Sequence, residues 1–233
     1  MEKKRSTFRH AGILFLLIFC LCFAGKSNVH AASGVKYTTS KVDKSKTYGS
    51  LKAKVYYKRV TLKGSTSAIK KINKSITSEV NTFLKSSTAD TLYDYASAAG
   101  SSGSNDTYRY SATSKVTYNK NGIISIRVKT YWYAGGVSNT DIYGLTYDLK
   151  TGKKLNLVQV CKGNAATVKA KVVAKIQADS DSSSMDWTTI NNYLPKKMKF
   201  YLNANGKAVV CFAPYEINTG GWARTYTINS KYS

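Results

Sequence analysis

Two carboxylates in this chain each follow a tyrosine near the end of an apolar stretch: Asp148 in Tyr147-Asp148 and Glu216 in Tyr215-Glu216. Brought together they would be the minimal equipment of a glycosidase, an acid for the leaving oxygen and a base or nucleophile across the sugar. Each also sits beside an expected strand end, where a short acidic side chain commonly closes a turn through the backbone, and the turn is the preferred reading. Asp179, Asp181 and Asp186 in DSDSSSMD carry oxygens that suit calcium. Their spacing lacks the glycine and distal glutamate of an EF-hand loop, so a solvated loop is expected and no metal. A third constellation mixes charge with rings. Arg109 and Lys115 fall on one side of an alternating stretch, and Arg127, Lys129, Tyr131 and Tyr133 on one side of the next. If the two stretches form a hairpin, basic groups and aromatic faces share one surface, which suits a polyanion or a sugar chain; an ordinary wet sheet face is the alternative.

Histidine is the usual general base near neutral pH. The two histidines, His10 and His30, both fall in a leader. It opens with Glu2-Lys3-Lys4-Arg5, continues through the apolar run Ala11–Gly25 and ends in Val29-His30-Ala31. These are the three parts of a secretory signal peptide, with cleavage expected after Ala31. The apolar run is shorter than the ~20 residues a membrane span needs. No small residue precedes Cys20 or Cys22, so lipid attachment is not expected. An exported chain from Ala32 onward has no histidine, which excludes Ser-His-Asp and Cys-His catalysis and histidine-based zinc sites. It keeps two cysteines, Cys161 and Cys211. An exported pair is a disulfide candidate; two buried small hydrophobes is the equal alternative, because Cys211 lies in an apolar strand.

The whole chain carries +24; removing five basic residues and one acidic residue with the leader leaves 31 against 11, or +20. Such a field favours acidic partners, although lysines scattered along the chain also serve solubility.

These side chains need elements to hold them. Residues 32–51 are Ser/Thr/Lys-rich with few large apolar groups and read as a flexible tether. Lys54–Leu62 reads as a strand. Ile69, Ile72, Ile76, Val80 and Phe83 make one apolar helical face, capped by Ser65 or Thr66. Ala96–Asp106 is small, polar and glycine-bearing, so it reads as a mobile loop and an internal boundary. Asn121-Gly122 marks the turn of the hairpin that carries the basic and aromatic residues. Thr151-Gly152 marks a later turn leading into a third short strand. Val168, Val172, Val173 and Ile176 stripe a second helix capped by Asn164. A hairpin around Asn205-Gly206 and a last edge strand, Arg224–Ile228, complete the chain. The class is α+β, mainly antiparallel sheet with two amphipathic helices. Two sub-lobes are expected, 52–104 and 105–233.

The blocks YWYAGGVSNTDIYGLTYDLKTGKKLNL (Tyr131–Leu157) and CFAPYEINTGG (Cys211–Gly221) resemble the extracellular domain of anti-sigma-V (RsiV-type) proteins. A domain of that type also precedes the catalytic domain of certain cell-wall polysaccharide deacetylases. The resemblance spans roughly Lys52 to Ile228 and is specific at Tyr133, Gly135, Gly136, Tyr147, Asp148, Leu149, Gly152, Tyr215 and Glu216. It implies a fold and a place of work at a Gram-positive envelope, and no reaction. Where the family usually continues Gly-Gly-Ala-His, this chain has Val137-Ser138, so any role of that histidine is missing. Only ten residues precede the apolar run, which leaves a cytosolic sigma-factor role no residues to perform it.

The expected function is therefore that of a secreted or wall-associated, non-catalytic binding or accessory domain engaging anionic wall polymer or peptidoglycan. A sensor or decoy for a wall hydrolase such as lysozyme is the alternative, opposed by repulsion between two basic proteins. An enzyme of unknown type is the third. Nucleic acid, cofactors, metals and a transmembrane span after cleavage are not expected.

Overall fold

A computed structural model describes residues 34–233, so the expected leader and its cleavage site lie outside the described residues. The class is α+β, and the sheets are antiparallel except at one pair of strands.

The first half builds one large sheet. Strand β1 (Tyr37–Asp43) pairs antiparallel with the far part of β3 (Leu51–Leu62), and β2 (Lys46–Tyr48) with its near part. The expected tether is thus largely strand. Nearly every side chain of β1 is exposed, so backbone pairing holds it and no hydrophobic period betrays it. Leu51, Ala53, Val55 and Tyr57 alternate into the core. Helix α1 (Ser67–Leu84) follows; the Thr66 hydroxyl accepts from the Ile69 N–H, and Ile72, Ile76, Val80 and Phe83 face inward.

Helix α2 (Ser87–Ser101) replaces the first part of the expected mobile loop. Its buried positions, Ala89, Leu92 and Ala96, are mostly small because the helix lies close on the sheet. At Gly100 a Cβ would come within 2.3 Å of the Tyr48 carbonyl oxygen, so the glycine is a packing residue rather than a loop signal. The chain then enters β4 (Thr107–Lys120), which runs parallel to β3 with Lys52 beside Thr107 and Lys58 beside Thr113. The sheet therefore continues across the expected boundary at 104/105, because strands on both sides of it are hydrogen-bonded neighbours. Asn121 (φ 54°) and Gly122 (φ 72°) turn β4 into β5 (Ile123–Tyr133), the paired left-handed geometry of a tight hairpin. Strand β6 (Ser138–Asp148) completes the order β1-β3-β4-β5-β6.

A bulge between Val116 and Tyr118 changes which face of β4 is buried where. Before it, Tyr110, Ala112 and Val116 pack toward the core shared with α1 and α2, together with Ile124, Ile126, Val128, Leu145 and Tyr147. After it, Tyr118 packs with Ile123 on the opposite side, into a second core. Extra residues at a bulge bend a strand and re-aim its side chains. The strict alternation expected through Tyr118 fails there for that reason.

The second core belongs to the rest of the chain. No third strand follows Gly152; a single bridge, Tyr147 to Lys154, leads into the short helix α3 (Leu157–Val160). Helix α4 (Ala165–Gln177), capped by Asn164, buries Val168, Val172 and Ile176. Helix α5 (Trp187–Asn192) is capped by Asp186. Strands β7 (Lys199–Leu202), β8 (Ala208–Phe212) and β9 (Arg224–Ile228) form a three-stranded antiparallel sheet. Strand β7 lies against β6 at Gly144, where a Cβ would sit 2.0 Å from the Phe200 carbonyl oxygen. Among the described residues no helix is long and apolar enough to cross a membrane.

Candidate functional site

The face of the large sheet turned away from α1 and α2 is open over β3, β4 and the end of β5, and the strand register orders it into rows. In the first row Lys54, Arg109 and Tyr133 are neighbours; in the second Tyr56, Ser111 and Tyr131; in the third Lys58, Thr113 and Lys129; in the fourth Lys115 faces Arg127. Arg109, Lys115, Arg127, Lys129, Tyr131 and Tyr133 are thus brought to one face. Arg127 is half-buried at its border, because Ser125 on the same side lies under β7, its hydroxyl accepting from the Leu202 N–H.

Three adjacent pairs on this face are of like charge: Lys41 with Lys58, Lys54 with Arg109, and Lys115 with Arg127. Like charges directly opposite one another destabilise a sheet. The carboxylate on β1, Asp43, is tied to Lys41 and to Ser45; these hydrogen bonds, that from Lys41 foremost, hold it down at about 2. At the end of the first row Asp106 accepts from the Tyr133 hydroxyl at 3.0 Å, which pushes that phenol up. The aromatic row runs through the middle: Ser111 is buried between two half-exposed tyrosines, and Lys41 Nζ stands 4.6 Å from the Tyr56 ring centre.

The paired glycines close the β5–β6 hairpin with positive φ, 75° at Gly135 and 152° at Gly136. A Cβ on Gly135 would meet the Tyr108 hydroxyl at 2.6 Å. Tyr147 is fully buried; burial raises its phenol to about 12, and it shares a hydrogen bond with Ser75 of α1. Asp148 closes its own turn, accepting from the Lys150 and Thr151 N–H groups at 2.9 and 2.7 Å. Burial pushes its carboxyl up, but the Thr151 and Lys150 hydrogen bonds outweigh it and the net shift is downward. Strand β8 ends at Phe212, so Tyr215 and Glu216 lie in the loop beyond rather than on the strand. Glu216 accepts from the Tyr193 hydroxyl and from the Ala213 N–H, both at 2.5 Å. Asp148 is therefore engaged in its own turn, and Glu216 ties its loop to Tyr193.

Two carboxylates that do line one pocket are Glu79 and Asp141. The pocket, about 370 Å³, opens over β6 and is lined also by Tyr143, Lys154 and Lys199. Glu79 accepts from Tyr143 at 2.7 Å, and Lys199 Nζ lies 3.6 Å from Asp141, whose carboxyl is pushed up mainly by burial. No sequence spacing joins these residues; α1 and β6 meet only through the fold.

Asp179 and Asp181 bind Arg224, at 3.3 and 2.7 Å. Among the described residues no group of three or more metal-ligating side chains converges. Cys161 and Cys211 are buried, free thiols, so the candidate disulfide is not formed. Each sits within apolar packing, and burial raises them to about 11 and about 12.

A family model described as "Deacetylase PdaC" matches residues 44–138, from just before β2 to the start of β6. That segment contains no histidine. No curated protein matches. A crystal structure of a member of the DUF3298 family from Bacteroides fragilis shares the fold, with TM-score 0.58 over 85% of this chain and 92% of that one, at 13% identity. A DUF3298 family protein from Pseudomonas aeruginosa aligns over 84% of this chain and 90% of that one, at 13% identity and TM-score 0.49.

Proposed function

We propose that this chain is a secreted, non-catalytic binding domain of the RsiV type, working at a bacterial cell envelope and holding an anionic wall polymer across the open face of β3, β4 and β5. The observation that carries the reading is the set of like-charge pairs, Lys54 with Arg109 and Lys115 with Arg127, on neighbouring strands with a tyrosine row between them. A free protein gains nothing from such juxtapositions. A polyanion laid across them would relieve the repulsion, and Tyr56 and Tyr131 would offer ring faces to its sugar units. The match of residues 44–138 to the model described as "Deacetylase PdaC" supports the resemblance to domains that accompany deacetylases.

The experiment is retention on purified wall and on wall stripped of anionic polymer, eluted with salt. Retention should need the polymer and should weaken with ionic strength, because exposed charges are screened within about 10 Å at 0.1 M salt. Changing Arg109, Lys115, Arg127 and Lys129 together to Gln should release the protein at lower salt than changing Lys70, Lys71, Lys74 and Lys85 on the solvent side of the helical layer. Equal losses would mean that bulk charge suffices and would remove the face as a site.

A further inference from the structure

We infer that the loop from Ala213 to Arg224 is a second binding site, for an uncharged sugar ring, separate from the basic sheet face. Two aromatic side chains stand out from it, Tyr215 at 67% and Trp222 at 57% exposure. Both are laid against the same turn. A Cβ on Gly220 would strike the Trp222 ring at 2.8 Å, and one on Gly221 would strike the Tyr215 hydroxyl at 2.5 Å. The two glycines are therefore the seats of the rings.

Each ring is held from behind. Tyr215 adopts φ 62°, the left-handed region that an aromatic residue rarely enters. Its N–H donates to the Gly220 carbonyl at 3.2 Å, and the next residue, Glu216, grips the Ala213 N–H and the Tyr193 hydroxyl. Glu216 is thus the positioning residue for Tyr215. Backbone strain of this kind persists where surrounding contacts over-determine it, and it gathers at binding sites. Trp222 rests over Arg224, whose guanidinium carbon lies 5.2 Å from the ring centre and whose two terminal nitrogens are tied to Asp179 and Asp181. The acidic loop thus anchors an aromatic platform.

Beside Tyr215 lies an open pocket of about 510 Å³, lined also by Met185, Asp186, Asn218 and Thr219. Asn218 is only 6% exposed, and its side-chain oxygen has no hydrogen-bond partner. A buried amide oxygen left unpaired is costly and calls for a donor. Exposed ring faces beside a shallow pocket lined by polar side chains fit a pyranose, which offers an apolar face to the rings and hydroxyl groups to the Asn218–Thr219 edge of the pocket. Tyr215 is the aromatic wall of this pocket, and Trp222 stands on the same turn outside it. Asp186 caps α5 and Asp181 is paired with Arg224, so both carboxylates are already engaged within the protein.

The test uses the exported chain from Ala32 with an N-acetylglucosamine tetramer in 0.5 M NaCl, read by tryptophan fluorescence and calorimetry. At that ionic strength the sheet face is screened, and the probe is uncharged, so the result is independent of polymer retention. Saturable binding is expected, weakened at least tenfold by Trp222→Ala, by Asn218→Leu and by Tyr215→Gly, and unchanged by the fourfold Gln variant of the sheet face. Tyr215→Gly removes the ring while relieving the left-handed strain, so its loss of binding would not come from unfolding. Absence of saturable binding, or parent-like binding by Tyr215→Gly and Trp222→Ala, would overturn the assignment. So would saccharide-independent capture of lysozyme through these same residues, which would make the loop a protein-docking surface.

Discussion

The Ser125 hydroxyl accepts a 2.8 Å hydrogen bond from the backbone N–H of Leu202, seventy-seven residues away, and shares a 2.7 Å bond with Thr146. All three groups are buried, and they join the large sheet to the first strand of the small one. Ser125→Ala would leave the Leu202 N–H without its partner in a site closed to water. The expected loss is about 1–3 kcal/mol, read as a lower urea midpoint with unchanged slope. A change below a few tenths of a kcal/mol would mean that water reaches the seam.

Gly144 lies beside that contact, where the Phe200 carbonyl would stand 2.0 Å from an added Cβ. Gly144→Ala should force β7 off β6 and cost about 1–3 kcal/mol or more, as overpacking does. Thermal unfolding of the variant measures it. A parent-like midpoint would show that the two strands part easily.

Lys115→Glu tests the sheet face with opposite signs. Facing Arg127, the new carboxylate replaces a like-charge pair with an attractive one, so stability should rise by roughly 0.2–1 kcal/mol. Retention on anionic wall polymer should fall. If stability and retention moved together, the like-charge pairs would have no part in binding.

The cysteines give a chemical test. Both thiols are buried and raised by burial, Cys161 to about 11 and Cys211 to about 12. The native protein should resist alkylation at pH 8, with or without reductant, because the thiolate is the reactive form. In urea without reductant, a chain beginning at Ala32 should titrate two thiols. Finding none would restore the disulfide.

Asp43 gives a pH test. Its folded carboxyl is depressed to about 2 from an ordinary 3.8. The sign follows: the contribution is present above pH 3.8 and lost as pH falls toward 2. Because the pair with Lys41 is largely exposed, the loss should be under about 1 kcal/mol. Carbon-detected NMR titration of Asp43 should place its midpoint near 2, and Lys41→Ala should move it upward. A midpoint near 3.8 in the parent would show that the pair is absent in solution.

What the sequence made legible followed the side chains that obey a period. The faces of α1, α4 and β5 were readable because Ile and Val recur at steps set by helix or strand geometry. Strand β1 was hidden because its stability lies in backbone pairing with β3, and its exposed Thr, Ser and Lys look like a tether. Helix α2 was hidden because Ala, Ser and Gly are what a helix needs when it lies close on a sheet, and the same residues fill loops. At the sheet face, alternation put Arg109 and Lys115 on one side and Arg127 through Tyr133 on one side, and the hairpin turn joined them. Lys54, Tyr56 and Lys58 escaped because their adjacency to β4 is parallel and separated in the chain by two helices. Glu79 with Asp141, and Tyr215 with Trp222, are juxtapositions that only tertiary contacts create.

The bulge at Val116–Tyr118 leaves β4 with one end rooted in each of two cores. A strand shared in this way makes the chain poor material for dissection. Cut anywhere between the two hydrophobic clusters, either fragment would carry an orphaned apolar strip of β4 and β5. Amide exchange along residues 108–128 should accordingly show one block of slow protons with no seam, and the two halves of the molecule should lose their structure in a single step.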